Sequence, residues 1–152
     1  MRKRRLVFIS LLFVLIGAVA TAFYLFFQPH RDIKNAEAEY VLSSEALVAE
    51  YLTDKAAADL KYLDEKGESA IVELTGRFLS AHANGPSTVI VLEGVAGKSD
   101  VHAHLSTGET VDIAALEGKQ LRLKGVLISG PEFDADLELY TPLILRESSI
   151  IN

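Results

Sequence analysis

Asp100, His102 and His104 are the residues of this chain whose types and spacing best suit chemistry. Side chains alternate between the two faces of a β-strand, so this spacing places all three on one face. A carboxylate with two imidazoles is a ligand set for zinc or copper. However, same-face neighbours are about 6.6 Å apart along a strand, and each ligand must approach a metal to about 2 Å. The favoured interpretation is a solvent-facing polar strand, with a metal site as the weaker hypothesis.

The segment from Gly94 to Ser99 ends in Gly-Lys-Ser and so resembles a phosphate-binding loop. That motif requires four residues between its glycines, but only two separate Gly94 from Gly97, and position 92 is Leu92. The segment is therefore predicted to be a hairpin turn.

A helix is predicted from Ser44 to Leu63. Ser43 is suited to cap its N-terminus, and Gly67 is suited to end it in a left-handed conformation. Apolar residues recur at helical spacing and predict one buried stripe. The stripe consists of Val48, Leu52, Ala56, Leu60 and Leu63.

Alternating apolar and polar residues predict five strands after the helix. They cover residues 70–81, 88–95, 100–105, 120–128 and 136–146, with a short helical turn at 112–117. Leu137 and Leu139 are predicted to point inward in the last strand, and residues 129–134 to form a loop.

Five strands with a helical insertion between the third and fourth have the element order of an OB-fold, a five-stranded Greek-key barrel. Gly76 lies in the middle of the first strand, where such a barrel must bend. The fold class is therefore mainly β, an OB-fold-like barrel with one preceding α-helix. An open five-stranded antiparallel sheet covered by one helix is the structural alternative.

The N-terminus predicts a membrane anchor. Arg2-Lys3-Arg4-Arg5 precedes 22 residues without a charge, from Leu6 to Phe27. As a helix these residues reach about 33 Å, enough to cross a hydrocarbon core of about 30 Å. The basic cluster should stay cytoplasmic, so the rest of the chain lies beyond the membrane. The alternative is a signal peptide cleaved near Ala20 or Ala22.

The predicted organisation is thus a basic N-terminus and transmembrane helix at 1–27, a linker at 28–42 and a barrel domain at 43–152. The chain has no cysteine, which excludes disulfides. All 21 acidic residues but only 11 of the 15 basic ones follow Phe27, so that part has a net charge of −10. This charge disfavours binding to nucleic acid or to an anionic membrane surface.

Short motifs along the chain also resemble a known family. They are Pro29-His30-Arg31-Asp32, Ala56-Ala57-Ala58, Lys61-Tyr62-Leu63 and Glu73-Leu74-Thr75-Gly76. The sequence resembles the bacterial tRNA_anti-like proteins, which are small membrane-anchored or exported OB-fold proteins, mostly uncharacterised. The resemblance implies the same fold and location. The cysteines that such proteins often carry in the third and last strands do not occur here.

These observations predict a single-pass protein of the cytoplasmic membrane that displays a non-catalytic binding or assembly domain on the periplasmic side. The ligand is expected near Glu93, His102, His104 and the 129–134 loop, because OB barrels bind on this face. The expected partner is an envelope protein, a peptide or a glycan, and no cofactor is expected. A nucleic-acid-binding OB protein is the alternative, but the second and third strands have no Phe, Tyr or Trp for base stacking. A metal-binding protein using Asp100, His102 and His104 is the third hypothesis.

Overall fold

The computed structural model describes residues 16, 17, 19, 21, 32–64, 69–109 and 111–151. The chain divides into two compact units, Met1–Asp32 and Ile33–Asn152. In the first, the described residues 16, 17, 19 and 21 are helical, and Thr21 Oγ1 donates to the Gly17 carbonyl at 2.8 Å. The rest of the predicted span, the cleavage positions Ala20 and Ala22, and the predicted helix stop Gly67 lie outside the described residues. Within the described residues, no helix has the length and hydropathy to cross a membrane.

The described part of the second unit contains two helices, a six-stranded sheet and a separate two-stranded sheet, and the strands are numbered along the chain. The elements are β1 (Tyr40–Ser43), α1 (Ser44–Thr53), α2 (Lys55–Tyr62), β2 (Ile71–Asn84), β3 (Ser87–Val95), β4 (Ser99–Leu105), a 3-10 turn (Ile113–Leu116), β5 (Gln120–Ser129), β6 (Phe133–Asp134), β7 (Leu139–Tyr140) and β8 (Leu143–Ile151).

Five of these strands close a barrel in the order β2-β3-β4-β8-β5, with β5 pairing back to β2. All neighbours are antiparallel except β4 and β8, which are parallel. Closure confirms the predicted barrel and excludes the open sheet. The strand order and the 3-10 turn between β4 and β5 are consistent with an OB-fold-like barrel.

Strand β2 serves both sides of the barrel by changing partners in its middle. Residues 71–77 pair with β5, and residues 78–84 pair with β3. Gly76 lies next to this change. A Cβ at Gly76 would overlap Ser44 Oγ and would lie 3.2 Å from Leu92 Cβ. The close approach of α1 therefore requires a glycine at this position, whereas the register shift in β2 lies between Phe78 and Ser80.

The core lies inside the barrel and under α1. Every second residue of β4 is buried, as the alternation predicts, and Val101 and Ala103 are fully buried. The other strands and α1 contribute Leu47, Val48, Val72, Leu74, Phe78, Ile90, Leu92, Leu121, Leu123, Leu127, Leu143 and Leu145.

The single helix predicted from Ser44 to Leu63 is wrong, because the chain breaks at Asp54. Ser43 caps α1 as predicted, accepting from the Ala46 N–H at 3.0 Å. Asp54 is extended, donates its N–H to the Glu50 carbonyl and accepts from the Ala57 N–H at 3.0 Å. It therefore ends α1 and caps α2.

The break at Asp54 also changes which helical residues are buried. Val48 of the predicted stripe is buried, but Leu60 is 88% exposed. Helix α2 instead buries Ala58 and Tyr62. The Tyr62 hydroxyl donates to Glu50 Oε2 at 2.8 Å and links the two helices.

The strand predicted at 136–146 is only partly correct, because residues 143–146 belong to the closing strand but residues 136–142 do not. Asp134 Oδ1 accepts from the N–H groups of Asp136 and Leu137, which turns the chain into the short β6–β7 hairpin. Leu137 and Leu139, predicted to point inward, are 65% and 49% exposed. The closing strand β8 begins only after Pro142, which has no N–H for a ladder.

Residues 33–43, which include most of the predicted linker, contact the barrel. Strand β1 pairs in parallel with the first half of β2, a pairing that the sequence analysis did not predict. Lys124 Nζ donates to the carbonyls of Lys34 and Ala36 at 2.6 and 2.8 Å. Ile33 is buried. This segment is thus held against β2 and β5.

Candidate functional site

Asp100, His102 and His104 lie on the outer face of β4, as predicted, and each is half-buried. Across the β3–β4 ladder, His102 is opposite Val91 and His104 is opposite Val89. The outer face at this point is therefore a layer of imidazoles and valines.

The structure adds His82, whose position could not be assigned from the sequence. His82 is opposite Val89 on the other side of β3, and its ring centroid is 6.1 Å from that of His102, with the ring planes at 74°. The sequence does contain a signal for this neighbour, namely the turn that connects β2 to β3. Gly85-Pro86 joins Asn84 to Ser87, and counting back along the hairpin from that pair gives His82 opposite Val89.

Val89 and Val91 are only 1% and 7% exposed although they lie on the outer face and outside the main core cluster. Their cross-strand neighbours are His82 and His104 for Val89, and Ser80 and His102 for Val91. Side chains from β2 and β4 therefore cover the two valines, and part of each histidine's role is to shield apolar surface.

This environment lowers the pKa of His102. Burial is the main cause, because it penalises the charged imidazolium. Nearby His82 and, more weakly, His104 also lower this pKa, while the negative charge of Asp100 raises it. Together these effects favour the neutral imidazole of His102.

A cleft of about 220 Å³ adjoins this face. It brings Asp100 and His102 together with Lys98 from the β3–β4 turn and Tyr140 from β7. The remaining lining residues are Gly97, Ser99 and Pro142. The Lys98 Nζ lies 5.6 Å from the centroid of the Tyr140 ring, a cation–π arrangement.

The β6–β7 hairpin forms one wall of the cleft, and hydrogen bonds fix its position. Ser99 is buried, and its hydroxyl donates to the Thr141 carbonyl at 2.8 Å. The Thr141 N–H donates to the Glu132 carbonyl at 2.8 Å, which closes the hairpin. Phe133 and Tyr140 face each other across it with ring centroids 5.1 Å apart. This aromatic pair was not predicted, because a continuous strand at 136–146 does not place Tyr140 opposite Phe133.

The hairpin also presents apolar side chains to solvent. Phe133, Leu137 and Leu139 are 53%, 65% and 49% exposed. Four acidic residues alternate with them along the sequence, namely Glu132, Asp134, Asp136 and Glu138. The hairpin thus combines an exposed apolar surface with negative charge.

Glu93, a predicted ligand residue, is paired with Arg77 of β2. Two guanidinium nitrogens of Arg77 donate to its carboxylate at 2.7 and 2.8 Å. The Arg77 hydrogen bond holds the pKa of Glu93 below its usual value. Glu93 is not among the lining residues of the cleft. Its position therefore indicates a bridge between β2 and β3.

The predicted three-ligand set of Asp100, His102 and His104 does not gather at one point. No group of three or more His, Cys, Asp or Glu side chains in the described part of the chain is close enough to hold a metal ion. Successive residues of a strand are about 3.3 Å apart along its axis, so Asp100 and His104 are separated by about 13 Å along β4. The histidines that the structure brings together, His82 and His102, come from different strands.

No protein-family profile matches this chain, and a comparison with curated proteins finds no match.

Proposed function

We propose that this chain is a non-catalytic binding module whose partner is a protein that docks on the β6–β7 hairpin and the adjoining cleft. One observation carries the proposal. Phe133, Leu137 and Leu139 expose apolar surface on a hairpin that hydrogen bonds hold in place. Exposed apolar patches ringed by polar groups are typical of protein-binding sites.

The size of the cleft favours a protein over a small molecule. Sites for drug-sized ligands occupy about 300–1,000 Å³, and this cleft has about 220 Å³. That space suits one inserted side chain. Lys98, Asp100 and His102 then offer a cation, a carboxylate and a neutral imidazole that can orient it by hydrogen bonds.

The charge of the hairpin favours a basic partner. Its four carboxylates and the net charge of −10 after Phe27 attract cations and repel anions. A basic protein segment with apolar anchors would match both properties of the surface. A glycan would match the aromatic pair but would not use the charge.

The proposed location follows from the sequence. The basic cluster and the apolar segment from Leu6 to Phe27 would anchor the chain in the cytoplasmic membrane, with residues 33–151 on the periplasmic side. The resemblance to tRNA_anti-like proteins and the closed barrel support an OB-fold assignment for that part. In an OB-fold, the cleft would lie beside the strands that commonly bind ligands.

Binding of single-stranded nucleic acid is the second candidate. The Phe133–Tyr140 pair beside Lys98 is the observation that favours it, because aromatic stacking next to a cation suits nucleobases. The acidic hairpin opposes it, since phosphates would approach four carboxylates.

Site-specific photocrosslinking in intact cells tests the proposal. A photoreactive residue replaces Leu137 of the full chain, and a matched control replaces Leu60, which is 88% exposed on α2. We expect a discrete protein adduct from position 137 that is lost in a Phe133→Asp background, with none from position 60. Equal adducts from both positions, or none from position 137, would overturn the proposal.

An oligonucleotide titration tests the second candidate, which is binding of single-stranded nucleic acid. The full chain in detergent is mixed with labelled single-stranded DNA at about 50 mM salt. We expect no binding. Binding that weakens steeply with salt and is lost in Tyr140→Ala would establish the second candidate instead.

A further inference from the structure

The pair His82–His102 joins two strands that do not pair with each other. His82 is on β2 and His102 is on β4, with β3 between them. Their rings nevertheless approach to 6.1 Å between centroids, above the buried Val89 and Val91. The two imidazoles therefore meet across an intervening strand.

We propose that His82 and His102 together bind a divalent transition-metal ion such as Zn²⁺, with water completing the coordination. The site differs from the set predicted from the sequence, which used residues of one strand only. It shares His102 with the cleft beside the hairpin, but its test does not depend on the proposed docking of a protein there.

The distance between the rings supports a shared ion. A zinc–nitrogen bond of about 2.0–2.1 Å places the metal about 3.2 Å from each imidazole centroid. Two such ligands at a tetrahedral angle have centroids about 5.2 Å apart. The observed 6.1 Å is within about 1 Å of that value. His82 is exposed, so its side chain is free to rotate through this difference.

The protonation state of His102 supports binding as well. Metals bind the neutral imidazole, and protons compete with them. Burial and the neighbouring His82 lower the pKa of His102, so little proton competition is expected at neutral pH. Asp100, on the same face of β4, adds a negative charge that attracts a cation.

The class of metal follows from the donors. Two imidazoles suit zinc, copper and nickel, whereas magnesium and calcium prefer oxygen ligands. The described residues contain no group of three ligands at one point. The site is therefore open, and it should bind more weakly than a structural zinc site with four protein ligands.

Calorimetric titration of the full chain with Zn²⁺ tests the site. The chain is purified in detergent without a polyhistidine tag, and its fourth histidine, His30, is replaced by alanine in every sample. We expect saturable binding of one ion per chain and no heat with Mg²⁺. His82→Gln and His102→Gln should each weaken binding by at least about tenfold.

His104→Gln is the matched control, because His104 lies on the same strand and face as His102. It should leave the affinity within about threefold of the parent, well short of the loss expected for a ligand. NMR should show zinc-dependent shifts of the His82 and His102 imidazole protons. Circular dichroism confirms that each variant is folded before titration.

Three results would overturn the proposal. They are the absence of saturable zinc binding, binding unaffected by His82→Gln, and binding lost equally in His104→Gln. The last result would establish the site on one strand instead. None of them would bear on the docking proposal, which is read out by crosslinks from position 137.

Discussion

Gly130 packs directly on the ring of Tyr51. A Cβ at position 130 would overlap Tyr51 Cδ1 and Cε1 and would lie 2.7 Å from Cζ. Gly130 follows β5 and leads into the β6–β7 hairpin, whereas Tyr51 belongs to α1 and is 2% exposed. The helix therefore helps to set the position of the hairpin that forms the candidate site.

Gly130→Ala should destabilise the protein by about 1–3 kcal/mol, because the added methyl group overpacks a buried contact. Urea denaturation measures this loss. In a Tyr51→Leu background, where the ring is absent, the same change should cost less by at least about 0.5 kcal/mol. Strictly additive costs would contradict the proposed contact.

Ser99→Ala should loosen the hairpin. The Ser99 hydroxyl donates to the Thr141 carbonyl from a buried position, and its loss should cost about 1 kcal/mol. Amide hydrogen exchange of residues 132–141 should become faster.

Ser87→Ala is a matched control for Ser99→Ala. The Ser87 hydroxyl donates to the Leu105 carbonyl at 2.7 Å, away from the hairpin. Loss of the Ser87 hydroxyl should leave amide exchange at residues 132–141 unchanged. Equal acceleration by both variants would indicate global loosening and contradict the assigned role of Ser99.

Asp54→Ala should remove the cap that begins α2. Loss of the hydrogen bond from the Ala57 N–H should cost about 1 kcal/mol, as for other N-caps. Asp54→Asn keeps the acceptor oxygen and should lower the free energy of unfolding by only about a few tenths of a kcal/mol. Thermal unfolding followed by circular dichroism compares the two. Equal losses would show that the charge, and not the cap, matters.

Acidification should destabilise the protein through His102. Its pKa is lowered in the folded state, so the unfolded chain binds the proton more tightly. The stability should therefore be unaffected above about pH 6.5 and fall as the pH drops below it. The other charged or titratable groups on this face are His82, His104 and Asp100.

Two variants check this pH dependence by urea denaturation between about pH 7.5 and about pH 5. His102→Gln should lose less stability on acidification than the parent. Asp100→Asn should lose more, because the carboxylate raises the pKa of His102. The opposite order of the two variants would exclude His102 as the source.

Much of the barrel could be predicted from local sequence patterns. Alternation predicted the buried residues of β4 and of the first half of β2, and the glycine-containing turn at 94–99 predicted where β3 is connected to β4. The pattern failed at Leu60 and Leu137, whose apolar character predicted burial. In both cases an aspartate, Asp54 or Asp134, bonds backbone N–H groups and redirects the chain. An apolar repeat does not reveal where an aspartate side chain accepts hydrogen bonds from backbone N–H groups and so ends a helix or strand.

The candidate site was only half predictable. Asp100, His102 and His104 share a face because side chains alternate along any strand, and this needs no knowledge of neighbours. The pairing of His82 with His102 depends on the register of two hairpins, and the position of Tyr140 beside Lys98 depends on the Ser99–Thr141 bond.

The sequence by itself determined the strand faces, the turns, the charge and the absence of cysteine, since these are properties of composition and local periodicity. Tertiary structure decided barrel closure, the break between α1 and α2, and the meeting of residues from β2, β4 and the hairpin. Those contacts join residues far apart in the chain, and their energy depends on which strands pair and in which register.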